Sequence, residues 1–428
     1  MKGDNSSNKW DNPPFGGFFN DKYMEIKREH EGESGETLGV FEETAPLRKV
    51  LMWGAPGAET VLGQLLPKKI NCFEAEFDVP AARQEFEGAK SMLEREGIEV
   101  VLVKDLFAKM VSEKGMKPSK NMDQLKDEIR KRAFAYDEKY KGQEISDLEE
   151  VLSWLDGIIE DDIVVYGEEA TVVMNDILSL GSELPLSNVL YARDQSNLLG
   201  RTWVWSSMRH TIRQPEVKLY RRVLEHAGII KDQGLEIVSV DGGGKFEGGD
   251  GIAYDGKVYV GVGGRTNMIG VRQIAPYILG QGVRLLIPID RQRAAGELDE
   301  MDAMHLDTFW MPCGPKQVVA CEEEVSRREL IEIAWSNGSL KAKNRGWLAD
   351  HMAESGMDIV PLSKDEQKHY APNFLNLGNN QIVLSLSEGN NLTNELARRG
   401  KEVFSADLEN ITKGFGGLHC ITAAIKRG

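Results

Sequence analysis

The 428-residue chain is 41% hydrophobic, enough for one large domain with insertions or for two or three smaller ones. Its net charge of −16 argues against a basic face for nucleic acid, and no apolar run approaches the ~20 residues that span a membrane. Four cysteines are too few for a disulfide scaffold, and neither Cys-x-x-Cys nor His-x-x-x-His indicates a structural zinc site. With no secretory signal visible at the start, we expect a reducing, cytoplasmic location; a homo-oligomer is left open.

The first 36 residues differ in composition from those that follow. Residues 1–36 are rich in Gly, Asn, Asp and Glu, which predicts an extended or partly disordered arm. One folded domain is expected over 37–428. It opens with a strand–helix–strand unit, formed by LRKVLMWG (47–54), an amphipathic helix at 81–97 and the buried strand IEVVLV (98–103).

The segment from about 105 to 160 changes character. Its long charged stretches have helical spacing, with no strand between them. This pattern predicts a helical insertion within the domain.

Strands and helices alternate again after the insertion. LEIVSV (235–240) is a predicted strand, and IAYDGKVYVGV (252–262) is a predicted hairpin with Asp255-Gly256 at its turn. A helix-like stretch at 266–282 leads into another predicted strand, VRLLIP.

The C-terminal third continues this alternation. HLDTFW and QVVA indicate a strand pair within 305–320, helical stretches are expected through residue 355, and QIVLSL, NNLTNELARRG and KEVF repeat strand, helix and strand. The recurring unit, a hairpin or strand followed by a helix and a strand, occurs four or five times. This favours an α/β fold of modules around a common axis over a doubly wound sheet. No G-x-G-x-x-G after a strand and no P-loop marks a nucleotide site.

Four short polar stretches interrupt the pattern where chemistry could occur. They are Ala192-Arg193-Asp194, Glu247-Gly248-Gly249-Asp250, His305-Leu306-Asp307-Thr308 and Gly416-Gly417-Leu418-His419-Cys420. In an extended strand His305 and Asp307 would share a face, although a lone His-x-Asp is also common on surfaces. The paired glycines allow a tight turn that aims both carboxylates at one point, but an exposed turn has the same composition. Cys420 follows glycines at a loop-to-strand junction, yet a free cysteine is often only a small buried hydrophobe.

The combination is more informative than its parts. One cysteine, one histidine, one glutamate and two aspartates form the set needed to hydrolyse a guanidinium, a planar cation that stays charged at physiological pH. Two carboxylates can grip its N–H groups, a thiolate can attack its central carbon, and a histidine can protonate the departing ammonia and then activate water.

In this order, the four stretches resemble those of the arginine deiminases, within the guanidino-modifying (pentein) superfamily. The resemblance runs from about residue 38 to 426, with 105–160 in the place of that family's helical insertion. It extends to LGVFEETAPLRKVLMWGAPG (38–57), PLSNVLYARDQSN (185–197), GRTN (264–267) and HLDTFWMP (305–312).

The resemblance implies a pentein fold, a propeller of five α/β modules around the active site, and roles for five residues. Cys420 would be the nucleophile, forming a thiouronium intermediate. His305 would be the general acid and base, partnered by Glu247. Asp194 and Asp307 would bind the guanidinium. No metal or organic cofactor is implied.

Five further residues would hold the substrate or support the site. Tyr191 corresponds to an aromatic residue beside the guanidinium, and Asn188, Arg213 and Arg265 correspond to positions that hold the α-carboxylate. Asp250 would support its loop. L-Arginine is therefore the expected partner, hydrolysed to L-citrulline and ammonia.

Other functions remain open at this point. An amidinotransferase would resolve the intermediate with an amine, and a hydrolase could act on another small guanidine or release two ammonia molecules per arginine. A non-catalytic pentein-like binding protein would lack the Cys, His, Glu and Asp set. The chain also departs from the family at Asn71–Phe77, and Phe415 stands where some members place an arginine.

Overall fold

The structure, a computed structural model, describes residues 37–428 except 75–76, 182, 232, 299–300, 302 and 386–390. The arm predicted at 1–36 lies outside the described residues. The strands of the described residues, in chain order, are β1 Leu47–Met52, β2 Glu99–Leu102, β3 Ser196–Leu199, β4 Thr202–Trp205, β5 Glu236–Ser239, β6 Gly251–Tyr254, β7 Lys257–Val260, β8 Arg284–Ile289, β9 Trp310–Gly314, β10 Gln317–Cys321, β11 Glu329–Ser336, β12 Ser339–Trp347, β13 Asp358–Leu362, β14 Leu375–Gly378, β15 Gln381–Leu384, β16 Glu402–Ser405 and β17 Ala423–Arg427.

Within the described ranges these strands form five sheets that repeat one arrangement. In each sheet an antiparallel pair of strands, which is a hairpin in every sheet but the first, is followed by a parallel strand. The orders are β17-β1-β2, β3-β4-β5, β6-β7-β8, β9-β10-β13 and β14-β15-β16. A parallel neighbour requires a crossover, and helices supply most of it. The alternation predicted from the sequence is confirmed, and the last strand pairs with the first.

Helices fill the crossovers and the long segment between β2 and β3. In chain order they are α1 Ala58–Gly63, α2 Lys68–Asn71, α3 Val79–Arg95, α4 Val103–Glu113, α5 Met122–Tyr140, α6 Leu148–Tyr166, α7 Glu169–Leu180, α8 Ala192–Gln195, α9 Gln214–His226, α10 Met268–Gly280, α11 Arg291–Ala295, α12 Glu322–Ser326, α13 Leu348–Glu354, α14 Lys364–Lys368, α15 Asn391–Arg398, α16 Glu409–Thr412 and α17 Leu418–Ile421. Across the described part of the chain, none of them combines the length and apolarity that crossing a membrane demands.

Helix α3 illustrates how local sequence sets an element. Asp78 caps it by accepting a hydrogen bond from the Ala81 amide at 2.9 Å, and Pro80 fits the first turn, where no amide donor is needed. Its apolar residues recur every three or four positions and are buried against the first sheet: Val79, Ala82, Phe86, Ala89 and Leu93. The helix predicted at 81–97 is thus confirmed.

The prediction of helices from β10 through residue 355 is confirmed for α12 and α13 and was wrong for the residues between these two helices. Residues 329–347 form the hairpin β11–β12, which extends the β6-β7-β8 sheet to five strands. Asn337 and Gly338 make its turn with φ of 51° and 73°, the left-handed values that an Asn-Gly hairpin turn requires. That dipeptide was the overlooked feature. Asp255 and Gly256, with φ of 51° and 69°, form the hairpin turn that was predicted.

Candidate active site

Each of the five sheets begins just after a turn that carries one polar residue facing the same region. Asp194 lies in α8 before β3, Glu247 precedes β6, His305 precedes β9, Asn373 precedes β14, and Cys420 lies in α17 before β17. Direct contacts join these turns. The His305 side chain contacts the carboxylates of Glu247 and Asp194, and the Asn373 side chain accepts a hydrogen bond from the Cys420 amide. Repetition of one sheet arrangement therefore brings residues distant in sequence to one place.

His305 is held between two carboxylates. Its Nε2 lies 2.9 Å from Glu247 Oε2, its Nδ1 lies 3.7 Å from Asp194 Oδ1, and all three residues are buried. Burial lowers the pKa of His305, but Asp194 and the hydrogen-bonded Glu247 outweigh it and raise the pKa to about 9. Burial also raises the pKa of Glu247, but Arg265 and His305 outweigh it and hold that pKa well below its usual range. At neutral pH the pair is an imidazolium and a carboxylate.

The prediction that His305 and Asp307 share the face of a strand was wrong. Residues Leu306–Thr308 form a 3-10 turn, and the strand begins only at Trp310. Asp250 Oδ1 accepts the Leu306 amide at 3.0 Å, which holds the turn in place. His305 and Asp307 still converge, because a Cβ on Gly249 would lie 2.8 Å from His305 Nδ1 and 3.0 Å from Asp307 Oδ1.

That close approach explains the paired glycines of the Glu-Gly-Gly-Asp turn. A Cβ on Gly248 would lie 1.9 Å from the Arg193 carbonyl oxygen, and one on Gly249 would press on the imidazole of His305. No side chain fits at either position without displacing backbone or the imidazole. Glu247 Oε1 also accepts the Arg209 amide at 2.8 Å, so the carboxylate is fixed at both oxygens.

Cys420 lies beside Asp307 and is oriented by Asn373. Its Sγ is 3.9 Å from Asp307 Oδ2, and Asn373 Oδ1 accepts the amides of Cys420 and Gly417 at 3.0 and 2.8 Å. Burial, together with the charges of Asp307 and Asp194, raises the pKa of the Cys420 thiol well above its ordinary value. The sulfur is therefore a neutral thiol at neutral pH, and a cation bound beside it would lower its pKa.

Four buried carboxylate oxygens in and around this site have no hydrogen-bond donor among the described residues, and two of the four belong to the aspartates nearest His305 and Cys420. These two are Asp194 Oδ1 and Asp307 Oδ1, both in buried residues. Their other oxygens are bound, Asp194 Oδ2 by Arg213 Nη1 at 2.8 Å and Asp307 Oδ2 by His419 Nδ1 at 2.6 Å. A buried carboxylate oxygen without a donor costs free energy, so this pair indicates a site shaped for a ligand that brings N–H groups.

Seven of the predicted site residues line one small, enclosed pocket, together with Cys72, Met304, Gly414 and Phe415. The seven are Asn188, Tyr191, Asp194, Arg213, Arg265, His305 and Cys420. Glu247 and Asp307 lie directly behind them, in contact with His305 and beside Cys420. Asp250 supports the backbone of the turn instead.

Both pocket arginines already contact carboxylates. Arg213 lies 2.8 Å from Asp194 and 3.1 Å from Glu216, and Arg265 Nη1 lies 3.4 Å from Glu247. Burial raises the pKa of Glu216 to about 7. The contacts with Asp194, Glu216 and Glu247 hold the two guanidinium groups in place where they line the pocket.

One cluster of the described residues has the spacing of a metal site. One ligand atom each from Asp194, Glu247 and His305 fall within 4.8 Å of one another. However, Arg213 binds Asp194 and Arg265 contacts Glu247. A divalent cation bound to these carboxylates would therefore be repelled by two guanidinium groups. The geometry favours an organic cation held by the free carboxylate oxygens.

Sequence reasoning missed Asn373 and Glu216, and it gave no role to His419 or to Glu43 behind the site. Asn373 orients Cys420, Glu216 binds Arg213, and His419 connects Asp307 to Glu43. Only Asn373 had a usable pattern, because it precedes its sheet as the other polar residues precede theirs. The others are recognised by contacts across the fold.

Comparisons with known proteins identify relatives of this chain among enzymes named for their action on arginine. The sequence profile of the family described as arginine deiminase matches residues 72–427. The arginine deiminase of Borrelia duttonii is 23% identical, over 91% of this chain and 98% of its own length. Among solved structures, the N-terminal domain of ArgZ, a cyanobacterial arginine dihydrolase, is 15% identical over 89% of this chain and 97% of that chain, with a TM-score of 0.54. A DDAH of Pseudomonas aeruginosa, complexed with citrulline, is 13% identical over 88% and 99%, with a TM-score of 0.51. The two structural likenesses show a shared mixed α/β fold.

Proposed function

Because the chain belongs to the arginine deiminase family of C–N hydrolases acting on guanidino substrates, we propose that it hydrolyses L-arginine to L-citrulline and ammonia. Two buried carboxylate oxygens that lack donors, beside a thiol and an imidazolium, are the observation that carries this proposal. A substrate guanidinium would supply the missing N–H donors and the missing positive charge together.

The proposal includes the architecture around the site. The five sheets are taken as the modules of a pentein propeller, closed by the pairing of β17 with β1. Residues 37–428 then form one catalytic domain, with the helices between β2 and β3 as its insertion and 1–36 as a separate arm.

The first half-reaction forms a covalent intermediate. The bound guanidinium lowers the pKa of the Cys420 thiol, which gives its proton to water. The thiolate attacks the guanidinium carbon and an S–C bond forms. The His305 imidazolium gives its proton to one amino group, the C–N bond breaks, and ammonia departs to leave a thiouronium.

The second half-reaction regenerates the enzyme. Neutral His305, held by Glu247, takes a proton from water as the oxygen attacks the same carbon. The S–C bond breaks, the Cys420 thiolate departs, and the urea group that remains is protonated. Its extra proton passes to the Cys420 thiolate, which restores the thiol and releases citrulline. Asp194 and Asp307 hold the reacting carbon in front of the sulfur throughout.

The amino-acid end of the substrate is assigned to the arginines and to Asn188. We expect Arg265→Ala to raise the KM for L-arginine about 10- to 100-fold, because a charge-assisted pair with the α-carboxylate is lost. The decarboxylated analogue agmatine, which lacks that carboxylate, should lose much less. Steady-state kinetics on both substrates gives the ratio of kcat/KM for arginine to kcat/KM for agmatine. Losing the contact between Arg265 and Glu247 affects both substrates alike, so that effect cancels in the ratio. An unchanged arginine-to-agmatine preference in Arg265→Ala and in Arg213→Ala would remove this assignment.

The protonation of His305 predicts the alkaline limit of activity. Since the imidazolium is the proton donor, kcat/KM should fall as the pH rises through about 9, where His305 loses its proton. Glu247→Gln removes one stabilising carboxylate, so the alkaline limb should move to lower pH by about one to two units. The pH profiles of Glu247→Gln, wild type and the surface control Glu402→Gln measure this. A limb that stays in place would exclude His305 as the donor.

Product analysis separates this reaction from its alternatives. Mass spectrometry of arginine incubations should show citrulline and ammonia in equal amounts. Ornithine with two ammonia molecules would indicate a dihydrolase, the activity stated for ArgZ. A guanidino product that appears only with added glycine or ornithine would indicate amidino transfer. No turnover with a panel of guanidines would favour a binding protein.

A further inference from the structure

A chain of buried ionisable side chains leads from Asp307 to residues that do not line the pocket. His419 Nδ1 lies 2.6 Å from Asp307 Oδ2, and His419 Nε2 lies 3.6 Å from Glu43 Oε1. Glu43 Oε1 in turn lies 2.5 Å from Arg427 Nη2. All four residues are buried, so the two carboxylates and the Arg427 guanidinium act on their neighbours with little screening by water.

Glu43 is fixed by a backbone hydrogen bond to Ala253 and by the side chain of Arg427 near the C-terminus. It precedes β1, and its amide donates to the Ala253 carbonyl at 2.8 Å. Arg427 in β17 donates from Nη1 to the carbonyls of Ala45 and Asn376, each at 2.9 Å. Burial raises the pKa of Glu43, but Arg427 and His419 outweigh it and lower the pKa to about 2, so Glu43 carries its charge at any working pH.

The contact with His419 distinguishes the two carboxylate oxygens of Asp307. His419 takes Oδ2, and Oδ1 is the oxygen with no donor among the described residues, near His305. A histidine with only one carboxylate partner could turn about its side-chain bonds. The second carboxylate, Glu43, lies 3.6 Å from His419 Nε2, beyond hydrogen-bond length, and its negative charge on the far side favours the ring orientation in which Nδ1 donates to Asp307.

We propose that Glu43, anchored by Arg427, is a positioning residue that acts through His419 to aim Asp307 at the substrate guanidinium. This inference rests on the proposed function for its substrate. It assigns a task to a residue near the start of the fold that touches neither the pocket nor the reacting atoms.

The test compares Glu43→Gln with Glu42→Gln, its neighbour of equal charge. Glu42 instead accepts hydrogen bonds from Thr44 and the Asp255 amide. Glu43→Gln should lower kcat/KM for arginine about 10- to 100-fold, the range expected when a reacting group loses its alignment. Glu42→Gln should stay within about twofold, as is usual for changes away from the site.

A double-mutant cycle distinguishes action through His419 from general loosening. In a His419→Gln background, Glu43→Gln should cost less than about twofold, because the residue through which it acts is gone. Equal costs in both backgrounds would overturn the proposal, as would a folded Glu43→Gln with wild-type kinetics. If Glu43→Gln does not fold, His419→Gln alone must lower kcat/KM for arginine about 10- to 100-fold, the loss expected of Glu43→Gln, or the proposal fails.

Alkylation of Cys420 by iodoacetamide tests the same chain without any substrate. Because Asp307 is one of the charges that raise the pKa of the Cys420 thiol, a change in the aim of Asp307 should change the alkylation rate of Cys420 in Glu43→Gln by about threefold or more relative to Glu42→Gln. Equal rates in Glu43→Gln and Glu42→Gln would contradict the proposal. Because this readout needs no turnover, it remains decisive even if arginine is not the substrate.

Discussion

Replacing Cys420 by serine is expected to lower kcat about 10⁴- to 10⁶-fold, the loss typical when a hydrolase loses its covalent nucleophile. The hydroxyl is a far weaker acid than the thiol, and the buried position that raises the pKa of the Cys420 thiol would disfavour an alkoxide still more. Substrate binding should persist, because the carboxylates that grip the guanidinium are unchanged. Steady-state kinetics and equilibrium binding of arginine measure the two effects separately.

Intact-protein mass spectrometry supplies the matching covalent readout. Wild type quenched with acid during turnover should carry an adduct of arginine less one ammonia, and Cys420→Ser should carry none. Cys313→Ala is the matched control, since Cys313 is buried in the sheet strand β9 outside the pocket. Substantial turnover by Cys420→Ser, or an adduct that persists in it, would remove Cys420 from the mechanism.

Asp307→Asn is expected to move turnover and thiol reactivity in opposite directions. Turnover should fall about 10³- to 10⁴-fold, because a charged partner of the guanidinium is lost at the point where the carbon is held. In the free enzyme, however, the charge of Asp307 helps to raise the pKa of Cys420. Its removal should therefore make Cys420 alkylation by iodoacetamide faster than in wild type at neutral pH.

This opposition separates a specific role from simple damage to the fold. A destabilised site would lose turnover and expose every cysteine, so the alkylated residue must be identified by peptide mapping. The matched control is Asp358→Asn, an exposed aspartate paired with Arg399. Slower alkylation of Cys420 in Asp307→Asn would show that Asp307 does not act on the thiol as proposed.

Much of the candidate site was readable from the sequence because its residues lie in short polar turns between apolar strands. Asp194, Glu247, His305 and Cys420 each interrupt a strand pattern, and the chemistry of the set points to a guanidinium. The repeat of hairpin, helix and strand was readable for the same reason, since strand and helix periodicities differ. The hairpin at 329–347 was missed because charged residues obscure its alternation, and only Asn337-Gly338 marked it.

The sequence by itself determined the kinds of groups and the order in which the chain presents them. Only the tertiary structure decided which groups meet, since His419 reaches Asp307 across 112 positions and Asn373 reaches Cys420 across 47. It also decided their protonation, which no local pattern encodes. Burial lowers the pKa of His305, but Asp194 and Glu247 outweigh it and raise that pKa, whereas burial and the neighbouring carboxylates together raise the pKa of the Cys420 thiol. The physical reason is that strand and turn formation depend on neighbours in sequence, whereas alignment and electrostatics depend on neighbours in space.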